Sequence, residues 1–127
     1  MSYVKPAELA TRIIDAGESK VFMSTRDTLI RAYMAGAILA LAAAFAITIS
    51  TKTGEPLLGA VLFPVGFCML HLLGFDLLTA VCTLVPLAWL DKRPGVTLRP
   101  MLRNWGLVFL GNLLGALTVA VFMAVYF

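Results

Sequence analysis

The chain has 127 residues, 61% of them hydrophobic and 13% charged, with a mean hydropathy of +0.94. Soluble domains average roughly 45 to 50% apolar and 25% charged residues, so this composition excludes an ordinary soluble domain and defines an integral membrane protein. The net charge of +3 and the pI of about 9.1 do not call for nucleic acid, because nine of the ten Lys and Arg residues fall in two segments, Lys5 to Arg31 and Lys92 to Arg103, as a membrane topology would place them.

Residues 1–31 form a charged amino-terminal segment with no continuous apolar core, so no cleavable secretion signal is visible and the amino terminus is expected in the cytoplasm. Within it, residues 5–24 read as a helix opened by Pro6, with Leu9, Ile13, Gly17 and Val21 at four-residue spacing and charges elsewhere. The pattern predicts a helix on the cytoplasmic membrane surface. A solvated helix packed on a neighbour is the alternative.

The three-segment transmembrane repeat is expected over 32–127. Its first span, Ala32 to Ser50, is uncharged and close to the roughly twenty residues that one crossing needs. Thr51 to Pro56 is a polar turn bearing Lys52, expected on the outer side. The next apolar stretch, Leu57 to Leu90, holds one charge, Asp76. As a straight helix it would extend roughly 50 Å at about 1.5 Å per residue, against a hydrocarbon core of roughly 30 Å, so it must break. The break is expected at mid-depth around Gly74 and Asp76, with a first half from Leu57 to about Leu73 and a second from about Ala80 to Leu90. Irregular backbone at that depth is tolerated only where it lines a cavity or is buried in protein. Cys68 and Cys82, both within this stretch, match no metal or disulfide spacing and read as small apolar fillers.

Asp91 to Pro100 reads as a short basic loop, and Asn104 to Phe127 as a third span free of charge. Nine cations on one side against Lys52 on the other place the amino terminus inside and the carboxyl terminus outside. Three spans make an odd count, which fits either a chain that ends there or one cut at the middle of a repeat.

Small anions are costly to take out of water, so a path for them needs donors or positive potential at its narrow point. The first N–H groups of the second half-helix would point at such a site, and Thr79 would add a hydroxyl there or else only cap the helix. Asp76, the lone carboxylate of the spans, is expected to accept hydrogen bonds from loop amides and fix the break beside Gly74; a titrating or gating role is the alternative. His71 either lines the path, coupling it to protons, or lies silently at a contact or interface. Gly111 and Gly115 share a helix face that permits close backbone approach, with Asn112 hydrogen-bonding across the contact. The Lys92, Arg93, Arg99 and Arg103 cluster is a topology signal that would also attract anions to the cytoplasmic mouth. No catalytic constellation, metal-ligand cluster or cofactor motif is present in the sequence, so nothing in it suggests an enzyme.

Three segments, Phe63 to Phe67, Gly74 to Thr79 and Arg103 to Gly115, together with Ala35-Gly36, resemble in order and spacing the amino-terminal half of the formate/nitrite transporter family. The resemblance covers nearly the whole chain. It implies an all-α polytopic membrane protein, one aquaporin-like channel half of two inverted repeats with a broken second transmembrane helix. It further implies a homopentamer whose protomers each conduct small monovalent anions such as formate, nitrite or hydrosulfide, often with protons. By position it assigns the broken helix's threonine to Thr79, the preceding acid to Asp76 and the hydrophobic constrictions to Phe67 and Leu78. The family's central histidine belongs to the second repeat and has no counterpart here, and the resemblance does not assign its role to His71. A separate second repeat would complete the pore, since pairing two copies antiparallel would oppose the charge bias. A non-conducting partner of full-length subunits and a channel for a neutral solute such as water are the other readings.

Overall fold

The computed structural model describes residues 3–126 and folds them into helices joined by short turns, with no strand among those residues. In chain order these are α1 (Pro6–Phe22), α2 (Thr25–Thr53), α3 (Pro56–Leu62), α4 (Val65–Leu73), α5 (Leu78–Leu90) and α6 (Leu98–Tyr126). Three apolar lengths suffice to cross a bilayer: α2, α3 with α4 taken together, and α6. The fold is that of a polytopic helical membrane protein. Phe127, the last residue of the expected third span, lies outside the described residues.

Local chemistry sets the helix ends. Pro6 opens α1, where a missing N–H costs nothing. Ser24 starts α2 by accepting the Asp27 N–H on its hydroxyl at 3.2 Å, a cap that lies before the uncharged run begins. So α2 begins at Thr25 rather than near Ala32, and α6 begins at Leu98, taking Leu98, Arg99 and Pro100 out of the expected loop. Pro64, which cannot donate to a preceding carbonyl, divides α3 from α4, yet Phe63 and Pro64 keep right-handed helical dihedrals and the two run on as one crossing.

α2 and α6 lie side by side in the same direction, and glycines make the approach. A Cβ on Gly36 would overlap the Asn112 carbonyl, and one on Gly115 would overlap the Tyr33 carbonyl. Gly111 sits against Ala32, whose Cβ a methyl on Gly111 would meet at 2.5 Å. Tyr33 on α2 adds a hydroxyl bond to Thr118 on α6 at 2.8 Å. α3 and α4 return antiparallel along α2, with Gly59 against Ser50 and Gly66 against Ala42.

α1 docks antiparallel on α5 within the protein. Gly17 faces the Leu84 carbonyl so closely that no side chain would fit, and Val21 joins a buried cluster with Val81, Val85, Ala88 and Val108. Of the expected apolar stripe, Gly17 and Val21 are buried, Ile13 is half-buried and Leu9 is exposed. Arg93 fastens the following loop onto α1 through Asp15 at 2.9 Å and Glu18 at 3.1 Å, and bonds Asp91 at 2.8 Å. These carboxylates, the Asp91 hydrogen bond foremost, raise the Arg93 pKa above its ordinary value.

Large apolar side chains such as Leu41, Phe45, Val61, Phe109 and Phe122 are exposed along the crossing helices. Lipid or further protein, rather than water, is the solvent such faces suit.

Candidate functional site

The break between α4 and α5 is a built structure. Gly74, at φ +74°, adopts the left-handed conformation that ends a helix, and the two crossed bonds of a Schellman motif close α4: Gly74 N–H to the His71 carbonyl at 3.2 Å and Phe75 N–H to the Leu70 carbonyl at 2.9 Å. Arg31 of α2 donates to the freed Gly74 carbonyl at 3.4 Å. The break therefore lies level with Arg31 to Gly36, at the basic end of the uncharged run of α2 and not at its middle.

Restarting the chain as α5 is harder, because Leu77 occupies the cap position and has no side chain able to serve it. Asn112 of α6 serves instead. Its Oδ1 accepts the Leu78 N–H at 2.8 Å, while its Nδ2 donates to the Ala32 carbonyl at 2.7 Å and the Asp76 carbonyl at 3.0 Å. One amide thus joins α2, the break and the start of α5. Asn112, expected at the glycine contact, also holds the break.

Asp76 is buried, and its partner differs from the one expected. Its Oδ1 pairs with the Lys20 ammonium of α1, and its Oδ2 has no hydrogen-bond partner among the described residues. The carboxylate side chain is 0% exposed and Lys20 16%, so this is a shielded ion pair. Asn104 of α6 donates to the Lys20 carbonyl at 3.2 Å and steadies the end of α1 that carries it.

Phe67 meets Phe63 edge to face, centroids 5.6 Å apart, and packs with Leu39 and Phe75 on buried Ala35, Leu70 and Leu77. Leu78 packs, with Ile14 and Trp105, on the Val81 and Val85 cluster instead. The two expected constrictions thus belong to different clusters. Trp105 also donates its indole N–H to the Val81 carbonyl at 3.2 Å, tying α6 to α5.

Thr79 lies in the first turn of α5, one residue inside its start, and is exposed. It is not the cap. Neither its N–H nor its hydroxyl has a hydrogen-bond partner among the described residues. His71, in the last turn of α4, is also exposed, and so are the free thiols Cys68 and Cys82, which therefore fill no core within this chain. No cluster of His, Cys, Asp or Glu suited to a metal occurs among the described residues.

Lys20, Arg31 and the capping role of Asn112 escaped the sequence reading. For Lys20 a signal existed: a lone carboxylate in an apolar run needs a partner, and Lys20 flanks the apolar stripe of α1 beside Gly17 and Val21.

A membrane bundle with a half-helix restarted inside it, the N–H and hydroxyl of Thr79 in its first turn left free to donate, has the architecture of a transporter or channel. The family model for the formate/nitrite transporters matches residues 7–127, and the chain belongs to that family. Among curated relatives it is similar to a "Probable formate transporter" of Methanothermobacter thermautotrophicus, 32% identical over 98% of this chain and 47% of that one. It is also 31% identical to the "Uncharacterized transporter YrhG" of Bacillus subtilis, over 96% of this chain and 47% of the relative. With the "Formate channel FocA" of Escherichia coli strain K12 it shares 31% identity over 93% of this chain and 42% of the relative. The chain spans about half the length of these proteins. No solved structure matched it significantly.

Proposed function

We propose that this chain forms one half of a path for small monovalent anions of the formate, nitrite or hydrosulfide class, with Thr79 as a donor at the narrow point. The observation that carries the reading is the state of the α5 start. Leu78 N–H is taken by Asn112, whereas Thr79 keeps both its N–H and its hydroxyl on an exposed first turn at the positive end of a helix. A site of that kind suits an anion stripped of part of its water. Phe67 and Leu78 are the hydrophobic elements of the path, and His71 is a second polar group on it.

The exposure of Thr79 and His71 supports a reading in which this chain supplies one wall of the path. A second repeat, of the kind that the length of the relatives accommodates, supplies the other. Completed protomers assemble as a pentamer in the inner membrane with the amino terminus in the cytoplasm, an orientation that nine cations against one support.

The test is formate flux into proteoliposomes holding the protein in the assembled form in which it leaves its membrane. Thr79→Val should lower flux by about tenfold or more, as loss of one preorganised donor does elsewhere, with unfolding temperature unchanged. Unchanged flux in that variant would sink the assignment of Thr79.

A further inference from the structure

A cavity of about 440 Å³ opens between the last turn of α1 and the first turns of α6, lined by Val21, Phe22, Gly95, Arg99, Pro100 and Arg103. We propose that it binds the phosphate of an anionic phospholipid headgroup through Arg99 and Arg103.

The cations come first. Arg99 and Arg103 stand one helical turn apart on α6, and neither is in an ion pair with a carboxylate among the described residues. The acids nearest this end of the bundle are otherwise engaged, since Arg93 draws in Asp15, Glu18 and Asp91. Asp27, on the first turn of α2, forms no ion pair with either arginine. Arg103 gives one hydrogen bond to the Thr25 hydroxyl, which leaves most of its five donors for a ligand. Two guanidinium groups in this arrangement suit phosphate oxygens, which they bind in a planar, two-pronged manner.

The walls select the source of the phosphate. Phe22 stands against Gly95, where φ is +80° and a Cβ would fall 2.7 Å from the ring, so an apolar aromatic face closes one side. Leu98 and Leu102, beside Arg99 and Arg103 in sequence, are exposed on the same turns of α6, a membrane-crossing helix. A free anion gains nothing from such walls. A lipid needs both halves, charge for its headgroup and apolar surface for the start of its chains, and basic pockets between membrane helices have this character.

The experiment counts retained lipid by native mass spectrometry. The delipidated protein is mixed with equal amounts of phosphatidylglycerol and phosphatidylcholine of matched acyl chains. Phosphatidylglycerol should be retained about thirtyfold over phosphatidylcholine, the effect of two arginines at a membrane surface. The double variant Arg99→Gln with Arg103→Gln should bring the ratio to parity, whereas Thr25→Val, which removes only the protein acceptor of Arg103, should leave it intact. Equal retention by the unsubstituted protein overturns the proposal whether or not the double variant folds. Displacement of the lipid by millimolar inorganic phosphate also overturns it, identifying an aqueous anion site instead.

Discussion

The side-chain oxygen of Asn112 accepts the Leu78 N–H at 2.8 Å, so a residue in the middle of α6 caps a helix that begins elsewhere in the chain. Both amide protons of the same side chain are spent on the carbonyls of Ala32 and Asp76. Replacement by Ala strands the Leu78 N–H and the Asp76 carbonyl and removes the added bond to the Ala32 carbonyl, which keeps its helical partner. At about 1 kcal/mol net per hydrogen bond, more where a group is left buried and unmet, Asn112→Ala should cost about 2–4 kcal/mol. Denaturant unfolding in detergent measures this. If Asn112 merely filled space between the glycines, Asn112→Leu would retain full stability.

The Lys20 and Asp76 pair makes a sharper prediction because its members can be removed separately. Lys20→Met leaves the fully buried carboxylate alone and should cost about 3–5 kcal/mol, the range for a broken buried pair. Adding Asp76→Asn to that variant should recover much of the loss. A double-mutant cycle showing additive effects would mean that the two groups do not interact.

Two glycines on α6 provide an internal comparison. At Gly115 a side chain would collide with the Tyr33 carbonyl and backbone near Ala37, whereas at Gly106 nothing lies within 4 Å. Gly115→Leu should therefore push α6 from α2 and lower the yield of folded protein in detergent severalfold, an overpacking cost on the order of 1–3 kcal/mol or more. Gly106→Ala should be neutral or raise stability by up to about 1 kcal/mol, through better helix propensity. Size-exclusion profiles after heating distinguish the two, and equal behaviour would argue against the α2 to α6 contact.

Much of this architecture was legible because membrane helices are written in plain terms. The uncharged run from Ala32 to Ser50, the overlong stretch broken at Gly74 and Asp76, and the charge-free run after Arg103 each appear as helices in the expected order. Their ends were less legible. Hydropathy reports where a chain is apolar, and a helix continues as far as its hydrogen bonds and caps allow, so Ser24 starts α2 a full two turns before the apolar run. The site was legible at Gly74, whose left-handed geometry few other residues share, and in the presence of a buried carboxylate. Its partners were not. Lys20 and Asn112 reach the break from distant parts of the chain, through side-chain geometry that a one-dimensional pattern does not carry.

That reach has a temporal side. Lys20 precedes Asp76 by 56 residues, while Asn112 follows Leu78 by 34. During synthesis the ammonium is made well before the carboxylate enters the bilayer, so the costliest group of the spans arrives with its counter-ion waiting. The amide that caps α5 arrives later than both. A nascent chain halted before α6 would hold its charges matched but its second half-helix uncapped, and maturation of the break would await the synthesis of α6.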